Sequence, residues 1–233
     1  HADVAHVHKL HGRLSTCALP LLKRWRIPIV HQVNDYFFFC NAYSAYNRRL
    51  NQCCKRCIHG NVFWAVRYGC VNNLGAPRFE KAVLQAVKRA ALLLARPWRH
   101  VDLFLVTSDQ AGALLTEWGI EAERQFKIFN AMVPDEFAAP AEPGQEVVFY
   151  GTCLPTKGVE TFLSALEHVD STCQLGVYLL GMTPEYQARL QALAARRGLR
   201  LRIDPPLTWH TGLRERVAAA RAVGVPSTWG VTS

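Results

Sequence analysis

A chain of 233 residues that is half apolar, one fifth charged and free of low-complexity runs has the composition of a globular protein with room for two modest cores, which excludes a disordered or fibrous molecule. Its net charge of +9 is unevenly spread: residues 1–133 hold 18 Lys and Arg against 8 Asp and Glu, while residues 134–233 hold 9 against 10. The basic residues are scattered and carry no recognition-module signature, so nucleic acid is not an expected partner; a basic first half favours anionic lipid headgroups or polyanions, the commoner alternative being a basic face that is only solvated.

In chain order, short runs rich in Val, Ile, Leu and Phe at 3–7, 27–33, 101–106, 145–150, 175–180, 199–203 and 222–226 predict buried strands. Between them, 78–95, 109–118, 157–168, 184–198 and 211–220 predict helices. Alternation of this kind means parallel strands joined by crossover helices, hence an α/β doubly wound architecture. Helix 78–95 mixes Phe79, Val83, Leu84, Val87 and Leu92 with Arg78, Lys81, Lys88, Arg89 and Arg96. Its preferred reading is a crossover helix with an apolar face on the sheet and a basic face in solvent, and the alternative is a helix lying on a lipid surface. The stretch 134–144, with Pro134, Pro140, Pro143 and Gly144, has linker composition and falls where the charge balance changes. The expected domains are therefore 1–139 and 140–233.

No apolar run reaches the ~18 residues of a spanning helix, because the best candidate, 82–95, is interrupted by Lys88 and Arg89. The chain begins with His1 rather than Met and no sequence of signal type follows, so it reads as a piece of a longer protein. Six of eight cysteines lie within the first 70 residues. Without a secretion signal this usage points to a reducing, cytoplasmic compartment. Cys54 and Cys57 have the two-residue spacing that lets both thiolates reach one Zn²⁺, and Cys40, Cys53, His59 or Cys70 could complete a tetrahedral set. A structural zinc on Cys40, Cys53, Cys54 and Cys57, free thiols without metal, and a disulfide all stay open.

Residues 145–168, EVVFYGTCLPTKGVETFLSALEHV, combine a buried strand, a glycine turn, a Lys-Gly pair and an amphipathic helix. Unpaired N–H groups and the dipole at a helix start favour an anion, Lys157 adds a full positive charge, and Gly151 and Gly158 let the backbone approach a ligand closely. The bland alternative is a turn glycine beside an exposed lysine. At the other end of the chain, His6 and His8 share one face of the first strand. An ordinary imidazole titrates near neutrality, so a histidine at a strand's C-terminal end can accept a proton from a hydroxyl.

The segment holding Gly151, Thr152, Pro155, Thr156, Lys157 and Gly158 resembles the strand, glycine, arginine and Pro-Glu-Lys-Gly that open the second domain of family 4 glycosyltransferases. Thr152 stands where that family has arginine. DVAHVHKLHG at 3–12, VHQVNDYFFFC at 30–40, VTSD at 106–109, KIFNAMVPDEF at 127–137, LGVYLLG at 175–181 and VGVPSTW at 223–229 resemble further family segments in the family's order, with Asn34 replacing a usual histidine. The family continues with two glutamates that hold the donor; here Val231 stands near the first of these positions and the sequence given ends before the second.

The resemblance implies two Rossmann-like domains facing across a cleft, the B-type glycosyltransferase fold, both incomplete in this chain. It implies a retaining, metal-independent transfer of a sugar from a nucleotide-diphosphate sugar to a hydroxyl of a glycan, lipid or small-molecule acceptor. Gly151, Thr152, Lys157 and Gly158 would hold the donor diphosphate, His8 would serve the acceptor hydroxyl in catalysis, and His11, Asp35 and Tyr36 would bind the acceptor. No cofactor beyond the donor substrate is expected. Location would be cytoplasmic, with peripheral contact on the inner membrane face. A non-catalytic relative that keeps the fold as a binding protein is the alternative, favoured by Thr152 and Val231.

Overall fold

The computed structural model describes residues 2–10, 15–47, 49–50, 52–70, 79–129, 144–153, 155–165, 174–203 and 207–227. The chain divides into two compact units, one running through residue 130 and the other over 131–229. The linker reading at 134–144 falls almost entirely outside the described residues, as do His11 and Val231.

In the first unit, strands β1 (Ala5–Val7), β2 (Ile29–Gln32), β5 (Leu103–Val106) and β6 (Gln125–Lys127) form a parallel sheet in the order β1-β2-β5-β6. Helix α1 (Ala18–Arg24) connects β1 to β2, and α4 (Asp109–Trp118) connects β5 to β6. The start of α4 is set by Ser108, whose hydroxyl accepts from the N–H of Ala111 at 3.2 Å, and its end by Gly119 in the left-handed conformation. Between β2 and β5 the chain makes a two-stranded antiparallel ribbon, β3 (Tyr46–Asn47) with β4 (Gln52–Cys53), then α2 (Phe63–Arg67) and α3 (Phe79–Ala95).

Burial follows the apolar pattern over most of this unit. Ile29, Val101, Phe104 and Val106 are buried, as are Leu114 and Leu115 of α4, the helix that packs beside β5 and β6. The aromatic run after β2 is core: Phe38 and Phe39 pack on Trp118 with ring centroids 5.9 and 5.4 Å apart, and Trp98 lies 4.6 Å from Trp118. Strand β6, the β3–β4 ribbon and the short helices α1 and α2 are absent from the predicted set because their apolar periodicity is too brief to register.

Helix α3 lies where the sequence predicts it, yet its orientation corrects the preferred reading. Ala82, Ala86 and Arg89 are its buried residues, while Phe79, Leu84, Val87 and Leu94 are 68, 56, 62 and 85% exposed. Small residues let α3 approach its neighbours closely, so the bulky apolar side chains are left on the outer side. The basic face expected in solvent loses Arg89 to the interior.

In the second unit, β7 (Glu146–Thr152), β8 (Gln174–Leu180), β9 (Arg200–Ile203) and β10 (Ala222–Val223) form a parallel sheet in the order β10-β7-β8-β9. Helix α5 (Val159–Ala165) connects β7 to β8, and α6 (Pro184–Arg196) connects β8 to β9. The segment predicted as one helix over 211–220 is a π-turn at Trp209–Leu213 followed by α7 (Arg214–Ala218), broken by non-helical angles at Thr211 and Gly212. Val147, Phe149, Leu175, Val177 and Leu179 from the sheet pack on Val159, Phe162, Leu163 and Leu190 from the helices. Val148 and Tyr178 bury the opposite sheet face under Leu213.

Candidate functional site

Strand order in the second unit decides where a ligand fits. From β7 the chain winds outward through β8 to β9, then returns across β7 to place β10 on its other side. The connection out of β7 therefore runs away from β10, and the crevice between the C-terminal ends of these two strands is where the strand order reverses, the ligand position in open α/β sheets.

Gly151 and Thr152 end β7 at this crevice, and a one-turn 3₁₀ segment, Pro155–Lys157, leads into Gly158 and α5. The Lys157 stem passes over Gly151, with its Cγ 4.0 Å from where a Cβ on that glycine would stand. The strand that ends in β10 supplies the second wall. Gly224 N–H donates to the Val148 carbonyl at 2.8 Å, extending the strand pairing by one step. The chain then reaches Pro226, whose carbonyl oxygen sits against Gly158.

Two glycines make this approach sterically feasible. Gly158 has φ +75°, and a Cβ there would run into the Pro226 carbonyl. Gly224 lies flat against the Phe162 ring, where a side chain would collide with the aromatic edge. The segment Gly151, Thr152, Lys157, Gly158 and the turn Gly224–Pro226 are thus brought together by backbone packing within one unit. The second of these segments resembles a family motif but is absent from the candidate residues. Its glycine beside a short apolar run is the sequence signal that could have found it.

In the first unit, all four parallel strands end at the same edge of the sheet. His8 follows β1 there and Asn34 follows β2, and the Asn34 amide nitrogen lies 3.4 Å from His8 Nδ1. An amide nitrogen donates, so His8 Nδ1 is the accepting atom of this contact. His6 is beside His8, ring centroids 4.4 Å apart, and both are exposed. His31, one strand inward, is buried and donates from Nδ1 to the Val7 carbonyl at 3.1 Å. Burial lowers its pKa to about 4, with the neighbouring His8 and His6 acting in the same direction.

The remaining acceptor candidates occupy different surroundings. Asp35 accepts the Phe37 N–H at 3.0 Å, closing a tight turn after β2. Tyr36 is 1% exposed, its ring 4.9 Å from that of Phe39, and burial pushes its phenol far above the ordinary value. The Tyr36 hydroxyl has no hydrogen-bond partner.

The zinc reading finds no support. Among the described residues no three His, Cys, Asp or Glu side chains converge in a way that could hold a metal ion. Cys53 is exposed on β4, whereas Cys40, Cys54, Cys57 and Cys70 line a small enclosed cavity beside Ile58 and Phe39. Burial raises the Cys57 thiol to about 12 and the Cys70 thiol to about 11. Thiols so disfavoured as thiolates pack as small apolar groups. All cysteines among the described residues are free.

Neither the models of known protein families nor the curated proteins yield a match to this sequence. Solved structures do. Anabaena HepE in complex with UDP is similar at TM-score 0.57 and 15% identity, covering 96% of this chain and 53% of its own. The same protein in complex with UDP and glucose gives TM-score 0.55 and 15% identity, over 97% and 53% of the two chains. Sucrose-phosphate synthase from Thermosynechococcus elongatus gives TM-score 0.53 and 19% identity, over 99% and 52%. The chain thus has the α/β fold with parallel sheets of the B-type glycosyltransferases and spans about half the length of the solved structures it resembles.

Proposed function

We propose that this chain is part of a family 4 glycosyltransferase that moves a sugar from a nucleotide-diphosphate sugar to a hydroxyl acceptor with retention. Residues 1–139 would belong to the acceptor-side domain and 140–233 to the donor-side domain, each continuing beyond the sequence given. UDP bound to a protein of the same fold supports the donor class, and UDP with glucose in HepE supports a hexose. The observation that carries the reading is the switch-point crevice, where the Lys157 stem covers Gly151 and the Gly224–Pro226 turn closes on Gly158.

The chemistry follows from charge. As the glycosidic bond breaks, the departing diphosphate gains negative charge, and a fixed ammonium stabilises that charge more in the transition state than before it. Lys157 would supply it, with Gly151 and Gly158 letting the backbone approach the phosphates and Thr152 adding a hydroxyl. On the acceptor side His8 would take the hydroxyl proton, and His11 and Asp35 would contact the acceptor, whereas Tyr36 is buried and is withdrawn from that role. The reaction as proposed uses no metal. The exposed apolar side chains of α3, with Lys81 and Lys88 beside them, support peripheral contact with an anionic inner membrane face. Among the described residues no helix is long and apolar enough to cross a membrane.

Titration of the intact protein with UDP tests the donor assignment. Removing a charge-assisted contact worth about 1.5–3 kcal/mol should raise the Kd of Lys157→Ala roughly ten- to a hundredfold over wild type. Equal affinity in the two proteins would remove Lys157 from the site, and absence of UDP binding by the wild type would end the transferase reading.

A further inference from the structure

A second cavity, of about 430 Å³, lies wholly within the first unit, between the loop after β1, the turn after β2 and helix α3. Its wall includes Ser15, Thr16, Phe37, Tyr43, Lys88 and Arg89. Arg89 is unusual among the basic residues of this chain. It is 5% exposed, yet no carboxylate among the described residues reaches ion-pair distance of its guanidinium. Nη2 donates to the Cys40 carbonyl at 2.7 Å, and the group lies 5.4 Å from the Phe37 ring centre and 5.9 Å from that of Tyr43. Nε and Nη1 have no partner. Asp35 acts on this cation only through space, its carboxylate being turned to the Phe37 N–H.

An arginine cannot shed its proton, so this buried guanidinium, whose Nε and Nη1 are unpartnered and covered by protein atoms, leaves a positive charge uncompensated beside the cavity. Lys88, exposed on the preceding residue of α3, adds a second positive charge to the same wall. The rest of the lining mixes hydroxyls, two side-chain amides, two aromatic rings and two leucines, and the volume falls in the range of small-molecule sites. We propose that this cavity binds an oxyanion carried on a sugar, a carboxylate or a phosphate, so that the acceptor is an acidic or phosphorylated saccharide recognised by Arg89 and Lys88. The assignment rests on the first unit being the acceptor side of a glycosyltransferase. It goes beyond that reading by naming the acceptor's charge and the residues that select it. The sequence offers no signal for this role, because Arg89 is one of several basic residues in a helix and only packing distinguishes it.

Calorimetric titration of the full protein with glucose, glucuronate, glucose 6-phosphate and inorganic phosphate tests the proposal, with UDP binding measured in parallel. Glucuronate or glucose 6-phosphate should bind at least about tenfold more tightly than glucose, as one charge-assisted contact provides. Whichever of the two binds more tightly identifies the oxyanion. Arg89→Gln should abolish this preference while leaving UDP affinity unchanged, and Lys88→Gln should reduce it. Arg89→Lys, which keeps the charge, guards against misreading a folding defect: it should retain part of the preference and a wild-type melting curve. Glucose binding as tightly as the acidic sugars, inorganic phosphate binding as tightly as glucose 6-phosphate, or a preference surviving in both Arg89→Gln and Lys88→Gln would overturn the proposal. Loss of UDP binding in the wild type with an intact acidic-sugar preference would instead sink the transferase reading and leave the oxyanion cavity standing.

Discussion

Among single residues, His31 shows how burial turns a titratable group into a pH dependence. Its imidazole is held neutral in the folded protein with a pKa of about 4, against an ordinary value of 6.5. Below pH 6.5 the unfolded chain takes up a proton that the folded one refuses, so the contribution of His31 is complete above that pH. It is lost as pH falls from 6.5 to 4, at up to about 1.4 kcal/mol per pH unit, and levels off below 4. Urea unfolding at pH 7.0 and pH 4.5 should therefore show a marked loss of stability. His31→Gln, which can still donate to the Val7 carbonyl, should flatten the part of the curve that lies in this window. A variant with the same pH profile as wild type would show that other groups set it. Arg89 and Tyr36 carry the same lesson about polar atoms in the interior: each is buried beyond what its residue type suggests, and each keeps unpartnered polar atoms.

At the scale of elements, the candidate donor site depends on two segments from different parts of the second unit meeting without side chains between them. The contact of Gly158 with the Pro226 carbonyl can be broken by a single methyl group. Gly158→Ala would combine a left-handed backbone, costing about 1–2 kcal/mol, with a backbone clash that only displacement of the Gly224–Pro226 turn relieves. A fall in melting temperature of about 5 °C or more is expected, together with weaker UDP binding. Calorimetry of the variant alongside UDP titration measures both. A melting temperature within about 1 °C of wild type would mean that the turn moves freely and does not wall the crevice. Helix α4 needs no such contact, since its Ser108 cap and Gly119 stop are written locally.

For the molecule as a whole, charge and apolar exposure coincide on α3. Phe79, Leu84, Val87 and Leu94 are exposed on a helix flanked by Lys81 and Lys88, within the half of the chain that carries the excess positive charge. Apolar burial at a headgroup boundary and attraction to anionic lipid act together on such a surface, and the electrostatic part is screened by salt. Cosedimentation with vesicles containing phosphatidylglycerol should exceed that with pure phosphatidylcholine, and 0.5 M NaCl should reduce it. Leu84→Asp with Val87→Asp should abolish it. Equal sedimentation of wild type and the double variant would remove α3 from any membrane contact.

The sequence by itself determined the alternation of strands and helices, the parallel α/β class and the positions of the longer elements, because each rests on the apolar period of a contiguous segment. It also marked the glycines and Lys157 of the turn after β7, since that chemistry lies within eight residues. Only the tertiary structure decided that β10 returns beside β7 to make a switch point, and that α3 buries Arg89 and exposes Phe79, Leu84, Val87 and Leu94. These outcomes depend on which surfaces face each other after the chain has doubled back. No local pattern of residues encodes that pairing, because the energy that selects it is shared among contacts far apart in sequence.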